Sequence, residues 1–449
     1  MPKPPSSVPV STNRQVWQFA WPVILSNITV SLLGLVDSAV LGRQDSPIYL
    51  GAVAVGASLF SFIFWAFGFL RMGTTGEVSR AYGRGHYQRM YDVLIQALTI
   101  AGVLGVAIIV ISRPILDLAL PFFNPGQAVS SEVGNYFFIR VLSAPATLAN
   151  YAVLGWLLGR QVAKASLILL VFQNLLNIVL NLLFVLGLGM AVKGVALATV
   201  IAEYASLGLG LYLCLRYLSG VSGHFRFREA LYLSQLKALM VVNRQLFIRT
   251  LCLLLTMSMF TAWGARQGDE ILAANALLIN LLMLVIYALD GFAFAAEALI
   301  GKATGEGCIR LINKLLTSTF LCSVLMAAVF SIFFVVFGQL LLSFLTDIEG
   351  LAELAGNYLP WLIAMPFLGV ICFWLDGVYI GIGRTGLMQN IMVLSTFLVF
   401  IPVLYLTRSA GNHGLWFAFA VFTAARSSGM LMSFLPIYRK IRKGQSFSF

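Results

Sequence analysis

VWQFAWPVILSNITVSLLGLVDSAVL, residues 16–41, is an almost unbroken apolar run with one ionisable side chain, Asp37, near its end. About twenty such residues, rising about 1.5 Å each, cross the roughly 30 Å hydrocarbon layer as a helix. The stretch therefore predicts a membrane span and, at the same time, a carboxylate inside it.

The pattern recurs along the whole chain. Further runs lie near 50–72, 93–112, 133–157, 164–186, 192–215, 244–266, 271–299, 315–337, 357–382, 387–406 and 414–436. Of the 449 residues 60% are hydrophobic and 10% charged, with a mean hydropathy of +0.91, far from the balance of a soluble domain. The expected fold is an all-α polytopic membrane protein with about 12 transmembrane helices.

Lys and Arg resist translocation and collect in cytoplasmic loops. With these spans, twenty of the 29 basic residues fall on one side, among them Arg80, Arg84 and Arg89, Arg226, Arg228 and Lys237, and the C-terminal Arg439, Lys440, Arg442 and Lys443. Both termini are expected in the cytoplasm, which an even number of crossings requires. The net charge of +12 is spread over many short loops, so topology and anionic lipid account for it better than nucleic acid does. The N-terminal MPKPPSSVPVSTNRQ is too polar for a signal peptide, so the first span is expected to be retained. The five cysteines show no ligand-like spacing, and neither a disulfide nor a metal site is expected.

The chain also aligns with itself at a shift of 222 positions (155 to 377). LGAVAV from Leu50 falls on LAANAL from Leu272, R-x-x-G-x-G at Arg80 on K-x-x-G-x-G at Lys302, and G-x-x-x-G at Gly155 and Gly159 on Gly377 and Gly381. Small residues recur in any helical membrane protein, but one register links all these loci. The expected organisation is a tail (1–15), an N-lobe of six helices (16–215), a linker (216–243), a C-lobe of six helices (244–436) and a second tail (437–449). An even number of crossings per half relates the lobes by a pseudo-two-fold axis along the membrane normal, around a central cleft.

Ionisable and amide groups inside spans are costly and mark pathways or partners. In the fifth span Asn174, Asn177 and Asn181 follow i, i+3, i+7 and share a stripe. The sixth brings Thr199 and Glu203, one turn apart. Depth counting places Asp37, Asn177, Asn181 and Thr199 in one polar layer. The amides also read as interhelical glue, worth about 0.6–2 kcal/mol each. Asp37 does not, because no Lys or Arg in the neighbouring spans lies at its depth; an unneutralised carboxylate there is suited to taking up a proton. Asp376 in the tenth span is a further acidic candidate, and Pro22 shares a helix with Asp37 and can bend it.

These residues carry a family resemblance. WPVILSNITVSLLGLVDSAVLG (21–42), FLRMGTTGEVSRAYGRG (69–85), NIVLNLLFVLGLGMAVKGVALATVIAEY (177–204) and LDGVYIGIGRTGLMQN (375–390) resemble the MATE (multidrug and toxic compound extrusion) transporters, and within them the bacterial DinF (DNA-damage-inducible protein F) branch. The resemblance implies a monomeric antiporter of the bacterial inner membrane. It would export amphipathic, often cationic drugs and toxic organic compounds by alternating access, driven by entry of protons or sodium. By motif, Asp37 matches the coupling aspartate, Pro22 the bending proline, Asn177 the fifth-span amide, Thr199 a sixth-span site residue, and Asp376 an acidic position used in the C-lobe of another branch. The family pattern N-x-x-L-D reads N-x-x-L-N here, ending on Asn181, so a sodium site loses a carboxylate and the proton is the expected ion.

A lipid or lipid-linked oligosaccharide flippase of the same superfamily is the nearest rival; it would call for a more basic cleft than the four arginines inside spans provide. An integral membrane enzyme would need paired acidic or histidine motifs. The three histidines, His86, His224 and His413, fall in expected loops, so no enzymatic activity is expected.

Overall fold

The computed structural model describes residues 12–41, 47–123, 126–346, 348 and 350–443. Within the first helix the side chains of 28 and 30–41 fall outside the described residues, Asp37 among them. The chain is helical throughout the described residues. The helices are α1 (Thr12–Leu41), α2 (Pro47–Ala66), α3 (Phe69–Gly83), α4 (Tyr87–Val110), α5 (Ser112–Phe123), α6 (Gln127–Arg140), α7 (Ala144–Gly159), α8 (Ala163–Asn181) and α9 (Ala191–Leu218). They continue as α10 (Phe227–Ala230), α11 (Leu233–Ala265), α12 (Asp269–Glu306), α13 (Ile309–Leu345), α14 (Leu351–Gly356), α15 (Leu359–Gly381), α16 (Thr385–Leu394), α17 (Ile401–Leu406) and α18 (Gly411–Arg442). Eleven helical stretches among the described residues are long and apolar enough to cross a membrane, each matching an expected span; the remaining expected span lies in α1, 30 residues long. The protein is an all-helical membrane protein.

The chain separates into two compact units. One is Leu25–Phe247. Its core gathers Met90, Tyr91, Trp156, Leu157, Leu169 and Leu213, with the Trp156 indole donating to the carbonyl of Met90 at 3.0 Å. The other joins Met1–Ile24 to Ile248–Phe449. Phe260, Phe334, Phe400, Trp416 and Phe422 fill its core, and Asn275 and Asn412 exchange hydrogen bonds at 2.8 and 2.9 Å across α12 and α18. The start of α1 is fastened into this second unit: Trp17 packs edge-on against Phe292 at 5.1 Å, and Asn13 accepts from Ser318.

Each unit contains a close helix crossing lined by a G-x-x-x-G pair, and the two crossings share a register. A Cβ on Gly155 would strike the carbonyl oxygen of Arg71, and one on Gly159 would lie 2.8 Å from that of Thr75. In the other unit, Gly377 meets the carbonyl of Ala293 and Gly381 that of Glu297, at 3.0 Å. All four pairs follow the 222 shift (155 to 377, 159 to 381, 71 to 293, 75 to 297). The G-x-x-x-G repeat is thus a repeated backbone approach, which only glycine permits. Because the obstacle is backbone rather than a mobile side chain, Gly155→Ala and Gly377→Ala should each cost about 1–3 kcal/mol. Gly381→Ala, with the most room, should cost least; thermal unfolding in detergent reads this order, and equal stability of all three variants would refute it.

The stretch expected to link the halves is ordered. Helix α9 runs on to Leu218, and α11 begins at Leu233 inside it. Hydropathy placed that helix late because its first turns expose Lys237, Ala238 and Met240. The segment is tied to α4: Tyr91 donates to the carbonyl of Leu218 at 2.9 Å, Gln96 to that of Ala230 at 2.7 Å, and Gln88 exchanges bonds with the His224 backbone at 2.9 and 3.0 Å. His413, expected in a loop, lies in the first turn of α18 and accepts from the Trp361 indole at 3.2 Å. The sequence did not suggest α5 or α14, which are too short to span, nor the two π-helical turns, Leu182–Gly187 after α8 and Ser395–Phe400 between α16 and α17.

Candidate functional site: a buried amide ladder

Helix α8 carries its three asparagines inward. Asn174, Asn177 and Asn181 are 6%, 1% and 0% exposed, while Leu175, Val179 and Leu182 on other faces are open. The i, i+3, i+7 stripe therefore becomes a ladder. Asn174 donates to the Thr29 hydroxyl of α1 at 3.1 Å, Asn177 to the Thr199 hydroxyl of α9 at 3.0 Å, and Asn181 to the Asn177 carbonyl oxygen at 2.8 Å. Thr199 in turn donates to the carbonyl of Val195 at 2.9 Å. Helices α1, α8 and α9 are thus joined through polar atoms within one unit. Asn181 is the last residue before the π-helical turn, a widened loop of backbone of the kind that concentrates at functional sites. Asp37 belongs to α1, but its side chain is outside the described residues. Pro22 is inside the same helix and buried.

Glu203 is engaged elsewhere. Its carboxylate accepts from the Asn150 amide at 2.8 Å and lies 3.7 Å from the Arg140 guanidinium, with Thr147 and Gln173 also hydrogen-bonded to it. Asn150 bonds the Glu203 backbone carbonyl as well, at 3.0 Å. Arg140 in turn sits over the rings of Phe60 and Phe64, each 5.4 Å away, and donates to Ser143. Arg140 and Asn150 were not singled out from the sequence. The signal was present: an arginine in the fourth span and a glutamate in the sixth are opposite charges that each need a partner in lipid.

Asp376 lies in the other unit, in a different setting. Arg249 of α11 and Arg426 of α18 both donate to its Oδ2, and all three side chains are buried. Oδ1 of Asp376 and Nε of Arg249 have no hydrogen-bond partner among the described residues. Asp290 of α12 adds a further negative charge felt by Arg426, and the Phe373 ring lies 5.7 Å from that guanidinium. A carboxylate clasped by two guanidiniums is a poor receptor for a cation.

The ladder can orient one ionisable group but is weak as a cage for a bare cation. Sodium is held by several converging oxygens, whereas here the Asn177 and Thr199 oxygens already accept from neighbouring amides. Among the described residues of the ladder there is no carboxylate.

The MatE family model matches the chain twice, over residues 22–183 and 246–406, which is the duplication seen as paired glycine crossings. The DNA damage-inducible protein F of Escherichia coli (strain K12) is 42% identical, covering 96% of this chain and 93% of the relative. A probable multidrug resistance protein NorM of Thermotoga maritima is 22% identical over 96% of this chain and 94% of its own length. Among solved structures, a MATE protein in the bent conformation superposes with a TM-score of 0.86 at 19% identity, covering 97% of each chain.

Proposed function

We propose that this chain, which belongs to the MatE family of multidrug and toxin extrusion transporters, is a proton-coupled antiporter in which Asp37 is the coupling carboxylate. Family membership makes it a transporter rather than an enzyme. Its cargo is amphipathic, often cationic organic compounds, moved by alternating access of the N-lobe and C-lobe. It works as a monomer in a bacterial inner membrane, with both termini cytoplasmic, an orientation that the distribution of basic residues supports.

The observation that carries the choice of proton is the fate of Glu203. A second carboxylate beside Asp37 would favour sodium; Glu203 is instead held by Arg140 and Asn150. Position 181 supplies an amide in place of a carboxylate. The helix register supports Asp37 as the group this ladder serves. From the Thr29–Asn174 bond, eight residues along α1 and seven along α8 rise about 12 and 10.5 Å, which brings the backbone of residue 37 level with Asn181 if both helices run the same way, as first and fifth spans do. Pro22 removes one backbone hydrogen bond from α1 and serves as its hinge.

Proteoliposomes loaded with a fluorescent organic cation test the assignment. A pH gradient alone, with sodium absent, should drive transport, and a sodium gradient alone should not. Transport driven by sodium and indifferent to the pH gradient would overturn it and restore the sodium-coupled reading.

A further inference from the structure

In the unit Leu25–Phe247, an apolar groove of about 350 Å³ runs between α4 and α9 and is covered by the segment that follows α9. Leu94, Leu98, Leu211, Leu215, Phe225 and Phe227 line it. The sequence there is FRFR. Arg226 has extended backbone (φ −118°, ψ 75°) just before the short helix α10; the two phenylalanines that flank it stack at 6.1 Å, and Arg228 follows directly in the chain. Phe225 also packs edge-on against Tyr91 at 4.9 Å, and the hydrogen bonds from Tyr91, Gln88 and Gln96 hold the segment in place, so the groove is preformed.

We propose that this groove holds one acyl chain of an anionic phospholipid, whose phosphate is received by Arg226 and Arg228. Its walls belong to two helices long and apolar enough to span a membrane, so the medium at its mouth is lipid rather than water. Phe227 and Tyr232, 62% and 61% exposed, mark the interfacial level. In the chain around it stand Arg216, Arg226, Arg228 and Lys237, against Glu229, which pairs with Arg226 at 3.0 Å, and Asp92 of α4, which accepts from Gln88 at 3.0 Å. Arg228 has no ion-pair partner among the described residues. This surplus of positive charge beside an apolar slot matches one lipid class, with tail and head read by separate groups.

The test uses the full-length protein, purified in detergent and stripped of lipid, with phosphatidylglycerol, phosphatidylcholine and inorganic phosphate as probes. Phosphatidylglycerol should bind more tightly than phosphatidylcholine by native mass spectrometry and raise the unfolding temperature further, while phosphate does neither. Arg226→Gln with Arg228→Gln should erase the preference, at about five-fold in affinity per arginine. Phe225→Ala with Phe227→Ala should weaken both lipids, and Arg439→Gln, a basic residue elsewhere, should change nothing. Equal binding of the two lipids, phosphate reproducing the effect, or an undiminished preference in the double arginine variant would each overturn the assignment.

Discussion

Asp37→Asn is expected to leave the protein folded and in the membrane and to abolish gradient-driven export. The substitution keeps the size of the side chain and its capacity to hydrogen-bond, so the fold should be preserved. What disappears is the ability to gain and lose a charge. One proton moving down 100 mV contributes about 2.3 kcal/mol, enough to sustain a concentration ratio of about fifty-fold. An amide cannot carry that proton, so the ratio should fall to that of passive leak. Asp37→Glu should retain part of the activity, since it still titrates. Efflux from energised vesicles at matched protein level, with unfolding temperature recorded alongside, reads both variants; near-normal efflux by Asp37→Asn would remove Asp37 from the mechanism.

The second large effect concerns stability. Asp376→Ala leaves the buried guanidiniums of Arg249 and Arg426 without the carboxylate to which both donate. Breaking a buried ion cluster on one side costs about 3–5 kcal/mol, because the uncompensated charge stays behind. Nearby Asp290 offsets part of this for Arg426. Replacing the cluster together, as Asp376→Leu with Arg249→Met and Arg426→Met, should recover most of the loss, since well-packed apolar residues avoid the desolvation cost altogether. Denaturation in detergent decides the point. An Asp376→Ala protein as stable as the parent would mean that the two arginines find other partners.

What the sequence discloses depends on the range of the interaction. Spans are local sums of hydropathy, and eleven of them reappear as helices. The asparagine stripe of α8 is also local, a matter of 3.6-residue periodicity, and it emerges as a ladder with Thr29 and Thr199 at its sides. The glycine pairs were visible as spacing, but not their partners: Arg71, Thr75, Ala293 and Glu297 present backbone carbonyls, which no residue type encodes. The pairings of Glu203 with Asn150, and of Asp376 with Arg249 and Arg426, join positions 53, 127 and 50 residues apart. A depth count places such groups at a level in the membrane without saying which face of each helix meets which. The onset of α11 was hidden for a different reason: Ser234, Gln235 and Lys237 break up the apolar pattern of its first turns, and hydropathy measures burial in lipid rather than helix formation.

The fastening of Asn13 and Trp17 against Ser318 and Phe292 bears on how the protein is made. The unit Leu25–Phe247 is continuous and has all its chain once residue 247 has left the ribosome. The other unit includes the start of α1, and there Asn13 meets a partner 305 positions later. At about 5–20 residues per second, the roughly two hundred residues after Phe247 take on the order of 10–40 s, during which Asn13 and Trp17 wait for Ser318 and Phe292. Closing so long a loop costs about 2 kcal/mol more than closing one a tenth as long. The contacts of Asn13 and Trp17 are thus available only after the chain through Ser318 has been made.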